Sequence, residues 1–102
     1  MLFLKKLKNK IYAAPNQQKK ELWDVEGILN NQTYKFDLRP LKNNAKGGSF
    51  KTKADKIVYD LKDQFVIVDV EELHEYLNQK NSKVVTLDDL IAKLEWNIIL
   101  DK

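Results

Sequence analysis

The sequence predicts an α+β fold: an antiparallel sheet of about four strands with two C-terminal helices packed on one face, and a short N-terminal helix as a further element. Three patterns predict this class: alternating apolar residues between 22 and 39, an apolar run at 65–70, and two helical stripes after residue 69. The chain has 102 residues and no internal repeat, which is the size of one ordinary domain. We therefore expect a single domain over residues 1–102.

Apolar residues near the N-terminus follow a helical spacing. Leu4, Leu7 and Ile11 fall on one helical face, which predicts a short helix over residues 2–12. Ala14-Pro15 then predicts a loop over residues 13–20, because the residue before a proline avoids the α region. Residues 1–20 are accordingly interpreted as a short helix plus loop, or as a basic arm.

Alternating residues predict a β-hairpin over residues 22–39. Its two strands flank Asn30-Asn31-Gln32, whose asparagines tolerate the left-handed conformations of a tight turn. Pro40 ends the second strand, and residues 41–49 are interpreted as a loop. Strands are predicted again at 57–61 and 65–70, and the second of these is apolar on both faces, as a fully buried strand would be.

Two amphipathic helices are predicted after this run. Asp69 can cap the first, which places Val70, Leu73 and Leu77 on one face. Thr86 resembles the first residue of a capping box. The apolar stripe of this second helix consists of Leu87, Leu90, Ile91 and Leu94. Residues 98–100 are predicted to be a short strand or a packed tail.

Composition excludes several classes of function. The chain has no cysteine, so disulfides, thiolate catalysis and Cys-ligated metals are excluded, and a reducing cytoplasmic location is expected. The apolar run at residues 1–4 is too short for a signal peptide. No run approaches the roughly 20 apolar residues that a membrane span requires. We expect a soluble protein with no membrane partner.

Candidate catalytic and metal-binding residues are few. His74 is the only histidine, and with Glu71 it forms a single Glu-x-x-His, a motif that a di-iron site requires twice. Asp55, Asp60 and Asp69 lie on or beside predicted strands, but the usual lysine pattern of a metal-dependent nuclease does not follow them. We therefore expect no enzyme, no catalytic residue, no metal and no cofactor.

Charge divides the chain into two halves. Residues 1–56 contain 13 Lys/Arg and 5 Asp/Glu, whereas residues 57–102 contain 5 and 10. Gly47-Gly48 lies in the middle of the basic segment and lets a backbone approach a phosphate closely. The predicted nucleic-acid-binding residues are Arg39, Lys42, Lys46, Lys51, Lys53 and Lys56, with Phe50 as a stacking surface. The alternative interpretation is an ordinary lysine-rich surface loop.

These patterns lead to one principal hypothesis and two alternatives. The first is a small non-enzymatic accessory protein that binds DNA or RNA through the basic segment. The second is a protein-binding regulator or inhibitor of the mobile-element type, acting through an aromatic patch or the acidic helices. The acidic residues concerned are Glu71, Glu72, Glu75, Asp88 and Asp89. The third is a homo-oligomer in which the basic half of one copy meets the acidic half of another.

Overall fold

The computed structural model of the chain describes residues 2–40, 52–80 and 91–101. Within these ranges, a mixed sheet of six strands has the spatial order β1-β2-β3-β4-β5-β6. The strands are β1 (Lys8–Tyr12), β2 (Val25–Leu29), β3 (Gln32–Pro40), β4 (Lys56–Asp60), β5 (Gln64–Asp69) and β6 (Asn97–Asp101). The helical elements are a 3-10 turn (Leu2–Lys6), α1 (Pro15–Glu21) and α2 (Val70–Lys80), and residues 91–93 are also helical.

The predicted antiparallel sheet of about four strands is wrong, although the α+β class is retained. Neighbouring strands are antiparallel except β3 and β4, which pair in parallel from Phe36 opposite Lys56 to Pro40 opposite Asp60. A parallel pair requires a crossover connection of about a dozen residues or more instead of a tight turn. The segment 41–55 is long enough for that crossover, and the sequence analysis interpreted most of it as a simple loop.

The predicted hairpin is confirmed as β2 and β3. The two strands pair antiparallel up to Leu29 opposite Gln32. The turn between them consists of Asn30 and Asn31, whose φ angles are 52° and 66°. Positive φ at both central residues is the requirement of a type I′ turn, which matches the right-handed twist of the strands. Asparagine satisfies that requirement at low steric cost.

The interpretation of residues 1–20 as helix plus loop is wrong in its details. The residues of the expected helix divide into the 3-10 turn and β1, and β1 pairs with β2 at the edge of the sheet. The expected loop contains α1, which begins at Pro15. Proline suits the first helical position because its fixed φ is already helical and its missing N–H has no partner there. The Gln17 side chain accepts a hydrogen bond from the Ala14 N–H at 3.0 Å.

One face of the sheet packs against α2. Leu73 of this helix is fully buried among residues of β4 and β5. The predicted cap of α2 is confirmed, since Asp69 Oδ2 accepts a hydrogen bond from the Glu72 N–H at 3.0 Å. The second predicted helix is only partly described: Thr86, Leu87 and Leu90 lie outside the described residues. The sheet residues buried beneath α2 are Ile57, Tyr59, Val66 and Val68.

The opposite face of the sheet packs against the 3-10 turn. The Phe3 side chain is fully buried, and its ring meets those of Phe36 and Phe65 edge-on, with centroids 5.3 and 5.6 Å apart. Leu7 is also buried and approaches Gly27 so closely that a Cβ at Gly27 would lie 3.1 Å from the Leu7 Cβ. The first residues of the chain are therefore part of the core.

Tyr59 supplies a prediction about stability. Its side chain is 1% exposed, and among the described residues its hydroxyl has no hydrogen-bond partner. A buried hydroxyl without a partner costs about 1–3 kcal/mol. We expect Tyr59→Phe to raise the free energy of unfolding by about 1 kcal/mol in urea titrations at neutral pH. Tyr12→Phe is the matched control, because Tyr12 is 61% exposed and its hydroxyl is free to meet water.

The pH dependence of the free energy of unfolding also tests the burial of the Tyr59 hydroxyl. Burial raises the pKa of Tyr59 from 10.0 to about 12, so the folded state favours the neutral hydroxyl. The resulting stability is complete below pH 10.0 and is lost as the pH rises through about 12. Tyr59→Phe should lack this component of the alkaline loss. An alkaline stability curve identical to that of the unmodified protein would contradict the burial of this hydroxyl.

Candidate functional site

The predicted nucleic-acid-binding residues fall into two groups. Lys42, Lys46, Phe50 and Lys51 lie outside the described residues. Arg39, Lys53 and Lys56 are described, and each lies in a different environment.

Arg39 belongs to a polar cluster on β3. Its Nη2 lies 2.8 Å from Asp37 Oδ2, and 16% of the arginine side chain is exposed. Asp24 adjoins this pair, and its carboxylate accepts a hydrogen bond from the Leu38 N–H at 2.8 Å. Burial raises the pKa of Asp24, while this hydrogen bond and Arg39 act in the opposite direction. Arg39 thus offsets the cost of burying two carboxylates, which leaves little of its charge for an external ligand.

The surroundings of Lys56 are those of a buried structural residue. Its side chain is only 7% exposed, and its Nζ lies 2.6 Å from Asp69 Oδ1. The same ammonium group lies over two rings, 3.6 Å from the Trp96 centroid and 4.8 Å from the Tyr34 centroid. Because Asp69 also caps α2, this pair joins β4, β5 and the start of the helix. Lys56 therefore does not contribute to an exposed basic face.

Lys53 is the exposed member of the described group. Its backbone N–H donates a hydrogen bond to the Glu21 carbonyl at 2.8 Å, so it lies beside the C-terminal end of α1. The neighbouring Thr52 hydroxyl donates to the Leu22 carbonyl at 3.3 Å. The last turn of α1 carries Lys19 and Lys20, which are both exposed. Three lysines therefore cluster around the end of this helix.

The N-terminal elements extend this basic region. Residues 2–20 contain six lysines and no Asp or Glu, and all six lysines are exposed. Lys10 Nζ donates a hydrogen bond to the Leu4 carbonyl at 3.1 Å, which connects β1 to the 3-10 turn. We call this region the lysine surface. Its members are Lys5, Lys6, Lys8, Lys10, Lys19, Lys20 and Lys53.

Two large apolar side chains are exposed among these lysines. Ile11 is 59% and Tyr12 is 61% exposed, and both lie on β1 at the edge of the sheet. An exposed ring between lysines is the arrangement with which proteins stack bases while contacting phosphates. The sequence predicted Phe50 as a stacking surface, which lies outside the described residues, and did not predict the exposure of Tyr12. The lack of acidic residues on either side of Tyr12 in the sequence was a signal that could have drawn attention to it. The exposure of the Tyr12 ring, however, depends on the position of β1 at the edge of the sheet.

A polar cleft of about 570 Å³ lies where β4 begins and α2 starts. Its lining includes Asp55, Glu71, His74 and Glu75. Among the described residues, however, no group of three or more His, Asp or Glu side chains is arranged to hold a metal ion.

The acidic residues predicted to contact a protein partner are described only in part. Glu72 accepts a hydrogen bond from the Trp96 N–H at 2.8 Å, and the remaining two members, Asp88 and Asp89, lie outside the described residues.

Comparison of the chain with protein-family models, characterised proteins and solved structures gave no match. In the part of the chain that the structure describes, no helix has the length and apolar character to cross a membrane.

Proposed function

We propose that the protein binds nucleic acid, with a preference for single strands, through the lysine surface and Tyr12. The observation that carries the proposal is the exposed Tyr12 ring on an edge strand, within a stretch of six exposed lysines and no acidic residue. Lysine ammonium groups neutralise phosphates and release counterions. An exposed ring supplies a stacking partner for an unpaired base, which a base inside a duplex cannot use.

The sheet separates this surface from the exposed acidic side chains of α2. The carboxylates of Glu71 and Glu75 belong to this helix, which packs over β4 and β5, three and four strands from β1. Strands lie about 4.8 Å apart, so the separation of α2 from β1 is roughly 14–19 Å. This exceeds the screening length of about 8 Å at physiological ionic strength. The α2 carboxylates therefore repel a phosphate backbone bound at β1 only weakly, and the acidic residue nearest to Tyr12 in the strand pairing is Glu26, which lies opposite Ile11.

Salt dependence is the first test of the proposal. If five lysines contact phosphates of a single strand, affinity should fall roughly 100-fold between about 50 and 200 mM salt. Fluorescence anisotropy with a labelled oligonucleotide of mixed sequence measures this change, and a duplex of the same sequence measures the preference for single strands. Absence of binding at the lower salt concentration would refute the proposal.

Charge reversal locates the site. We expect Lys5→Glu/Lys8→Glu to weaken oligonucleotide binding by about 10-fold or more at low salt, because two phosphate contacts become repulsive. Lys62→Glu/Lys93→Glu changes the net charge equally at exposed lysines outside the lysine surface. This control should change affinity by less than about 3-fold. Equal losses in the two double variants would show that net charge alone, and not this surface, governs binding.

Substitution of Tyr12 separates stacking from charge. Tyr12→Ala should reduce affinity by about 1–3 kcal/mol while leaving the salt dependence unchanged, since the stacked ring contacts no phosphate. Tyr12→Phe retains the ring and should bind nearly as well as the unmodified protein. An unchanged affinity in Tyr12→Ala would remove this residue from the site.

A further inference from the structure

The two edge strands of the sheet differ in their protection against pairing. β1 is irregular: its pairing with β2 shifts register between Lys8 and Ile11, and Asn9 has a φ of 53°. It also carries Lys8 and Lys10, both exposed. Bulges and lysines are the features with which proteins prevent an edge strand from pairing with another chain. The β1 edge is therefore protected against pairing with another strand.

The β6 edge has none of these features. Its sequence is Asn-Ile-Ile-Leu-Asp, without lysine or proline, over residues 97–101. It pairs with β5 in an unbroken antiparallel register from Gln64 opposite Asp101 to Val68 opposite Asn97. Ile99, at the centre of the strand, is 45% exposed. Within the described residues no strand lies beyond β6. A regular, apolar and unpaired edge is a template for another strand.

We propose that β6 pairs with β6 of a second copy, antiparallel and about a twofold axis at Ile99. In that register Ile99 faces its own equivalent, Ile98 faces Leu100, and Asn97 faces Asp101. Each carboxylate then lies opposite a neutral amide residue, so no like charges meet across the strands. Ile98 and Leu100 already belong to the apolar cluster on the face opposite α2, and the pairing would continue that cluster into the second copy.

The other pairings are disfavoured. The same twofold pairing at β1 would place Lys10 opposite Lys10, a like-charge contact that destabilises a strand pair. Pairing of β1 with β6 of another copy joins different surfaces and gives an open chain of molecules instead of a closed dimer. The β6 pair buries one short strand from each copy, so the dimer belongs to the class of small, weak interfaces. This inference does not depend on the proposed nucleic-acid binding.

A single cysteine tests the register. The chain contains no cysteine, so Ile99→Cys introduces the only thiol. Residues directly opposite in an antiparallel pair have Cα atoms about 4.5–5.5 Å apart, within the range of about 4.4–6.8 Å that a disulfide spans. Under mild oxidation Ile99→Cys should form a disulfide-linked dimer rapidly. Ile11→Cys is the matched control on the other edge; its position is more exposed than Ile99, at 59% against 45%, and it should nevertheless form a disulfide only slowly. Equal rates in the two variants would overturn the proposal.

Sedimentation of the unmodified protein provides an independent measurement. Its apparent mass should rise from 12.0 kDa towards twice that value as the concentration approaches about 1 mM. Ile99→Lys should remain at 12.0 kDa, and Ile11→Lys should behave as the unmodified protein does. Thermal unfolding of both lysine variants at low concentration verifies that they fold. A monomeric mass at all concentrations would overturn self-pairing, and loss of association in Ile11→Lys alone would assign the contact to β1.

Discussion

Replacing Lys56 with methionine is expected to lower the free energy of unfolding by about 3 kcal/mol. Methionine retains the apolar stem of the side chain and removes the ammonium group. The Asp69 carboxylate then loses the Nζ that lies 2.6 Å away and remains largely buried, with 21% of its side chain exposed. Removing one partner of a buried ion pair is costly because the other charge is left uncompensated. The contact of Nζ with the Trp96 ring is lost as well, which is worth about 0.5–2 kcal/mol.

A double-mutant cycle in urea measures the pair itself. Asp69→Asn keeps an oxygen that can accept the Glu72 N–H at the start of α2, so its cost should come mainly from the unpaired lysine. The double variant Lys56→Met/Asp69→Asn should be less destabilised than the sum of the two single variants, by about 0.5–3 kcal/mol. Lys53→Met is the matched control at an exposed lysine and should change stability by less than about 0.5 kcal/mol. Strict additivity in the cycle would contradict the ion pair.

Lys56 and Lys53 also show why part of the candidate site could not be predicted. Both lysines follow Gly47-Gly48 closely in the sequence, and the sequence predicts both as members of one basic face. Their different surroundings depend on the register that places Lys56 opposite Asp69, thirteen residues further along the chain. A register between strands is a tertiary property, because a shift of one residue exchanges the two faces. Sequence spacing alone therefore cannot distinguish the buried Lys56 from the exposed Lys53.

The features of the fold that could be predicted are those encoded locally. Asn30 and Asn31 specify their own turn, and Asp69 caps the helix that follows it. The apolar run of β5 is long enough to indicate a buried strand, and residues Phe65–Val68 are fully buried. Each of these signals lies within a few residues of the element that it determines.

Features that depend on distant pairing were missed. The helical spacing of Leu4, Leu7 and Ile11 is coincidental: Leu7 is buried, whereas Ile11 is 59% exposed on β1. The pairing of β1 with β2 overrides the weak local preference for a helix. The parallel contact of β3 with β4 likewise depends on a long crossover, and nothing in the two strand sequences specifies it.

The lysine surface could be predicted only in part. Its charge can be predicted, because residues 2–20 contain six lysines and no acidic residue. Its shape cannot, because the exposure of Tyr12 follows from the position of β1 at the edge of the sheet. The sequence therefore predicts a basic arm over residues 1–20 and Phe50 as a stacking residue, but not the exposure of Tyr12.

Phe3→Ala is expected to lower the free energy of unfolding by about 3–5 kcal/mol. The Phe3 side chain is fully buried, and its ring packs edge-on against Phe36 of β3 and Phe65 of β5, which are themselves buried. Truncation would leave a cavity bounded by two strands that cannot move together without disturbing the sheet. Ile11→Ala, at an exposed position on β1, is the control and should cost less than about 0.5 kcal/mol.

The outcome distinguishes the two interpretations of the N-terminal residues. If residues 2–7 are part of the core, Phe3→Ala destabilises the whole sheet, and unfolding followed by tryptophan fluorescence and by circular dichroism should shift together. If they are instead a basic arm, the substitution should cost less than about 1 kcal/mol. The distinction also concerns binding, because Lys5 and Lys6 lie between the buried Phe3 and Leu7. A core segment fixes the backbone of these two lysines, so that the proposed binding of a phosphate backbone would lose less backbone conformational entropy than binding by a mobile arm.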